Sequence, residues 1–207
     1  SSKNHKDYEK KLSMMGIPHK ENIFTSGTAT AMYLKEKGYK RVFLLGTKAL
    51  QEDIEEGLLV TEENPDVVLV GFDTTLTYDK LWKACDFLLE GVDYVATHPD
   101  FNCPLKGGKQ MPDAGAIIAF IEASTKRKPK VIGKPETLIV EYLRKRFNLK
   151  EKPMAMVGDR LYTDMELAKK AGLFSILVLT GETKREDVKD ADVDLLLERA
   201  TDLITLL

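Results

Sequence analysis

Two carboxylates and one lysine offer the clearest chemistry in this sequence. The carboxylates lie in residues 154–172, MAMVGDRLYTDMELAKKAG. A short hydrophobic run leads into Gly158 and Asp159, and five positions later Thr163 and Asp164 stand where an amphipathic segment begins. If the run is a strand of an open parallel sheet, Asp159 sits at its carboxyl end, the edge where such sheets bind ligands. Two carboxylates on one strand-to-helix loop suit a hard cation such as Mg2+, which takes oxygen ligands and keeps several waters. Gly158 lets the backbone come close, and Arg160 shares the loop. The competing reading is a loop that only caps the following helix, with Thr163 or Asp164 as N-cap; Asp164 can serve both purposes.

The lysine lies in residues 131–136, VIGKPE, which read as a short strand, a turn and a helix start. Proline is common at helix starts, so Pro135 asks for no functional reason. Lys134 is different. Held at a strand end facing carboxylates and a metal, its ammonium neutralises a phosphate dianion and stabilises charge in a transition state. Taken alone, a lysine is more often solvated surface.

These residues need a scaffold, and the pattern of the chain describes one. Short β-branched runs at 42–45, 67–70, 92–96, 154–157 and 176–179 alternate with helical periodicity at 28–37, 78–89, 114–123, 136–146 and 164–171. That alternation predicts an α/β protein whose strands are mostly parallel and joined by crossover helices. In residues 78–89, Tyr78, Leu81, Trp82, Cys85, Leu88 and Leu89 recur at helical spacing, so Trp82 and Cys85 read as packing residues. Gly172 stops the last helix. Small, polar, Lys-rich and Pro residues at 25–27 and 125–129 mark the expected linkers. At the front, Tyr8, Leu12 and Met15 set a helical pattern at once, as in a chain whose first segment lies outside the given residues.

Composition excludes more than it assigns. The 207 residues are 43% hydrophobic, enough for one large core or two smaller ones. With 31 Lys+Arg against 33 Asp+Glu, the formal charge of -2 gives no pull toward nucleic acid or anionic lipid. No apolar stretch approaches a membrane helix and the N-terminus is not signal-like, so neither a membrane nor a nucleic-acid partner is expected. Cys85 and Cys103 form no redox or metal spacing, which fits a reducing cytoplasm. A nucleotide-cofactor protein of the Rossmann type is set aside, since no G-x-G-x-x-G opens a helix after a strand.

GKPE at 133–136 followed by GDRLYTD at 158–164 resembles the third and fourth motifs of haloacid dehalogenase-type phosphatases, in their NagD-like, p-nitrophenyl phosphatase branch. The likeness extends to SSKNHKDYEKKLSMMGI at 1–17, TSGTATAMYL at 25–34, GFD at 71–73, ATHPD at 96–100 and residues 112–136. It implies a Rossmann-like core, residues 1–25 and 131–207, with an α/β cap, residues 26–130, inserted between motifs. It also implies Mg2+-dependent hydrolysis of a small phosphorylated metabolite through an aspartyl-phosphate. Asp159 matches the metal ligand, Asp164 the acidic position supporting the metal shell, and Lys134 the lysine that pairs with nucleophile and phosphate. Gly158 and Arg160 support the loop, while His98, Asp100 and the loop 109–115 are candidates for substrate contact. The nucleophilic Asp-x-Asp strand is not found in these residues and is expected upstream of Ser1, which leaves this chain alone inactive. Pairing of two copies through the cap is the expected oligomer. The alternative is a non-catalytic phosphate-binding or interaction protein of the same fold.

Overall fold

Most of the short β-branched runs become parallel strands here because a helix between them carries the chain back across the sheet, as Lys48–Glu55, Tyr78–Leu89 and Glu166–Ala171 do after Arg41–Leu45, Val67–Val70 and Ala155–Gly158. The computed structural model describes residues 2–18, 22–150, 152–188 and 191–206. Two compact units result, Ser1–Gly133 and Lys134–Leu207. Among the described residues no helix is long and apolar enough to cross a membrane.

The first unit opens with α1 (His5–Met14) and α2 (Ser26–Glu36), then runs β1 (Arg41–Leu45), α3 (Lys48–Glu55), β2 (Leu59–Val60), β3 (Val67–Val70), α4 (Tyr78–Leu89) and β4 (Asp93–Ala96). A hairpin of β5 (Asn102–Pro104) and β6 (Gln110–Pro112) precedes α5 (Ala114–Thr125) and β7 (Lys130–Val131). Five parallel strands form one sheet in the order β2-β1-β3-β4-β7. All four residues of central β3 are fully buried, as a parallel strand covered on both faces must be. Phe43, Val70, Cys85, Leu88, Ile117 and Ile121 share its core, and Phe43 meets Phe87 edge-on at 5.1 Å between ring centroids.

Threonines start three of these helices. Thr25, Thr47 and Thr77 each turn a side-chain oxygen onto an amide in the first turn of α2, α3 and α4, supplying an acceptor that the helix itself lacks. Thr25 is thus a buried cap and not part of a loose linker. α1 buries none of its residues; it is tied to α3 through Asn4 Nδ2 on Glu52 (3.0 Å) and His5 Nδ1 beside Asp53 (3.4 Å).

The helix Tyr78–Leu89 matches its sequence expectation, but its face does not. Trp82 is 61% exposed, with Tyr78 and Leu89 also exposed, whereas Ala84, Cys85 and Leu88 are buried. Trp82 is therefore not a core residue. The apolar stripe is wider than the face the sheet covers, and the sheet takes the side with Ala84, Cys85 and Leu88.

The second unit comprises α6 (Leu138–Phe147), β8 (Ala155–Gly158), α7 (Glu166–Ala171), β9 (Phe174–Val178) and β10 (Leu195–Leu197). Its three parallel strands run in the order β10-β9-β8. Val140, Leu167, Ala168 and Leu173 form its core, with Met154 and Met156 against them. Gly172 closes α7 at φ 63°, a left-handed position that glycine adopts without a Cβ penalty. Both helices start later than the periodicity suggests, α6 at Leu138 and α7 at Glu166.

A Leu69→Ala substitution at the centre of the first sheet is expected to cost about 3 kcal/mol, read from the urea midpoint, against about 1 kcal/mol for the exposed-side cap change Thr77→Ala. A loss at Leu69 no larger than that at Thr77 would contradict the packing described.

Candidate active site

β8 ends at Gly158, and the next residues turn at once into a wide π-type turn, Leu161–Met165, before α7 begins. In that turn the Met165 amide reaches back five residues to the Arg160 carbonyl at 3.2 Å. The Asp164 side chain points back as well. Its Oδ2 accepts from the amides of Asp159 (3.2 Å) and Arg160 (3.3 Å), and its Oδ1 receives the Lys134 ammonium at 2.6 Å. Asp164 is therefore not the N-cap of α7; that position is Met165, without a side-chain cap. The lysine, 43% exposed, reaches a carboxylate that is 4% exposed. Gly158 has a local reason too, since a Cβ there would overlap the Asp164 side chain.

A third segment, invisible to the motif reading, completes the arrangement. The Glu182 amide donates to Asp159 Oδ2 at 2.8 Å, and the Thr183 amide to the Asp159 carbonyl at 3.1 Å. The Asp159 carboxylate lies so close over Gly181 that any Cβ there would collide with it. The Glu182 side chain spans Arg160 Nε at 2.8 Å and the Tyr162 hydroxyl at 2.7 Å. The signal for 181–183 was its position after β9: parallel neighbours deliver their loops to the same sheet edge.

Lys134, Gly158, Asp159, Arg160 and Asp164 thus come together in the second unit. No three His, Cys, Asp or Glu converge into a closed cation cage among the described residues. Mg2+ does not ask for one, because it binds through one or two carboxylates and keeps waters or substrate oxygens for the rest. An oxygen-only pair would suit that ion: Asp159 could hold it, while Asp164, engaged on both oxygens, fixes the loop and the lysine. The buried Thr163 hydroxyl has no partner among the described residues, and a buried polar group without one is costly.

His98 and Asp100 belong to the first unit. His98 Nδ1 lies 2.7 Å from the Thr97 hydroxyl and Nε2 lies 2.9 Å from Asp113 Oδ1. Burial pushes the imidazole below its ordinary value, so the neutral ring donates from Nε2 to Asp113 and accepts from Thr97 at Nδ1. Burial works to raise the Asp113 carboxyl, but His98 and the Ala114 amide outweigh it and hold the group below the usual carboxylate range. Both ring nitrogens are spent on fixing the start of α5, which Asp113 caps at 2.6 Å. The Asp100 carbonyl accepts from the Gly115 amide at 2.8 Å.

Comparison with known proteins gives a consistent set of likenesses. A family model described as haloacid dehalogenase-like hydrolase matches residues 1–57, and a HAD-hydrolase-like model matches residues 131–203. The chain is 34% identical over 193 residues to 5'-nucleotidase YutF of Bacillus subtilis, covering 92% of this chain and 75% of that protein. It is 32% identical over 184 residues to the ribonucleotide monophosphatase NagD of Escherichia coli, covering 88% and 72%. The crystal structure of a 4-nitrophenylphosphatase from Thermotoga maritima superimposes with a TM-score of 0.92 at 50% identity, over 99% of this chain and 80% of that one.

The His98 geometry carries a pH test. An imidazole with a depressed folded value contributes its full stability above the unfolded value of 6.5, and loses it as the pH falls below that. The urea midpoint of the first unit is expected to drop between pH 7 and 5, and His98→Gln to flatten that slope. An unchanged slope in the variant would show that the ring is not held neutral.

Proposed function

Because the chain belongs to the haloacid dehalogenase-like hydrolases, and within them to the NagD-like p-nitrophenyl phosphatases, we propose that it is the Mg2+-binding part of a phosphatase for small phosphomonoesters. Sugar phosphates and nucleotides are the substrate class. The reading is carried by one observation, the Lys134 to Asp164 contact of 2.6 Å beside Asp159 at the end of a parallel strand. A phosphoryl group in transfer spreads its charge over its equatorial oxygens, and cations aimed at them lower the barrier. Lys134 supplies one such cation on a solvent-facing side chain, while Asp164 holds it in place. Asp159 would hold Mg2+, which when bound neutralises phosphoryl charge. The Asp164 carboxylate also fixes the amides of Asp159 and Arg160, so the loop need not reorganise as the substrate enters.

The attacking group in this reading is an aspartate that forms an aspartyl-phosphate, carried on a strand upstream of Ser1. Two features support that placement. Among the described residues β8 pairs only with β9, which leaves the backbone groups of its other edge unpaired, and its Val157 is 40% exposed where a parallel sheet is normally covered. A further parallel strand along β8 would end beside Asp159 and Lys134. In this reading the second unit, Lys134–Leu207, belongs to the catalytic core, while β7 pairs with β4 in the sheet of the first unit, which would carry the inserted cap.

Residues 1–207 alone are expected to leave p-nitrophenyl phosphate at the background rate, whereas the chain extended by its upstream strand hydrolyses it and stops when EDTA removes the metal. Turnover by residues 1–207 alone would place the nucleophile within them. In the extended chain Lys134→Ala is expected to lower kcat/KM by about a hundredfold, about 3 kcal/mol of transition-state stabilisation. Asp159→Asn should be at least as severe and should raise the Mg2+ concentration needed; near-normal turnover in that variant would sink the metal assignment.

A further inference from the structure

Glu182 belongs to none of the motifs, yet it touches the metal loop at three points. Its amide donates to Asp159 Oδ2 at 2.8 Å. Its Oε2 meets Arg160 Nε at 2.8 Å, and its Oε1 accepts from the Tyr162 hydroxyl at 2.7 Å. The side chain is 40% exposed and the residue before it is Gly181. A half-exposed residue after a glycine has little intrinsic reason to stay in one place. The residue after it, the buried Thr183, anchors the segment through its amide on the Asp159 carbonyl, and the bonds to Arg160 and Tyr162 fix the Glu182 side chain itself.

We propose that Glu182 is a positioning residue for Asp159: its side chain, fastened to Arg160 and Tyr162, holds its own amide against the Asp159 carboxylate and so fixes the orientation in which that carboxylate meets a divalent cation. The proposal rests on the Mg2+ reading of Asp159. The two halves of the contact depend on each other. Asp159 can lie over this segment only because Gly181 has no Cβ, and there the amide of Glu182 donates to its Oδ2. Arg160 and Tyr162 flank the first residue of the π-type turn, so the Glu182 side chain bridges the start of the turn while its backbone grips the residue before it. Groups that orient a ligand in this way are typically worth ten- to a hundredfold in metal affinity. Glu182 also balances the Arg160 charge, and keeps that guanidinium turned to the loop.

The test is a Mg2+ titration of the chain, followed through the backbone amide shifts of Gly158, Asp159 and Arg160 by NMR, with thermal unfolding recorded on the same samples. Glu182→Ala is expected to weaken the Mg2+ dissociation constant by about ten- to a hundredfold while the Tm changes little. Glu182→Gln keeps an oxygen and a nitrogen that can bond to Arg160 and Tyr162, and should restore affinity to within about threefold of the parent. Tyr162→Phe removes one of the two fastenings and should fall between them. If Asp159→Asn abolishes binding but Glu182→Ala leaves it unchanged, the positioning role is overturned and the metal reading stands. If Glu182→Ala and Glu182→Gln lower the Tm alike without moving the dissociation constant, the residue is structural and the proposal again fails. If Asp159→Asn binds Mg2+ as the parent does, or the parent shows no binding, the metal reading fails and takes this inference with it.

Discussion

A carboxylate taken out of water must find donors, and Asp164 finds three: the Lys134 ammonium and the amides of Asp159 and Arg160. The rest of the second unit's strand-end geometry follows from satisfying that one group. The side chain needs the space a Cβ at residue 158 would fill, so residue 158 is glycine. It must face backward along the chain, so the loop widens into a π-type turn and α7 starts at Glu166 instead of Asp164. Wide turns of this kind are rare in helices and tend to sit where a side chain has to be aimed. A single buried ion pair is weak evidence for stability, but it is good evidence for a fixed position, and position is what a phosphoryl site requires.

The second constraint is the polarity of the sheet. β8 and β9 run in parallel, with Gly158 opposite Leu177, so both strands release their loops on the same edge. The loop after β8 carries the acids, while the loop after β9 carries the amides that meet Asp159 and the carboxylate that meets Arg160 and Tyr162. An antiparallel pair would have sent Gly181 and Glu182 to the opposite end. The site is therefore made by the connection between strands as much as by its own motif.

How far the sequence alone could reach depends on which of these constraints is local. The strand at 67–70 and the helix at 78–89 appear as their patterns describe, since runs of Val and Leu and a 3.6-residue period are local signals. The loop holding Asp159 and Asp164 was legible for the same reason. Trp82 was misplaced because the apolar stripe on α4 is wider than the face the sheet covers, and only the partner surface decides which side is buried. The late start of α7 was hidden because Asp164, a good cap by type, is taken by partners that lie before it in the chain and by Lys134, 30 residues away. Glu182 was hidden because nothing in TGET marks it; only the pairing of β8 with β9 brings it to Asp159.

Polar clusters at strand ends occur in both units, and their contrast shows what separates a site from a joint. In the first unit Thr97, His98 and Asp113 close on one another: both ring nitrogens are bonded, both side chains are nearly buried, and Asp113 also caps α5. The cluster fixes the start of a helix and keeps little of either group in solvent. In the second unit the buried member is the carboxylate, while the cation it holds faces outward with nearly half of its surface in solvent. A lysine so held has lost much of the freedom that ordinarily makes surface lysines poor binders of any one anion, yet it keeps donors to offer. Residue type alone would rank the histidine first as the reactive group. An exposed charge held by a buried, fixed carboxylate makes Lys134 the better candidate.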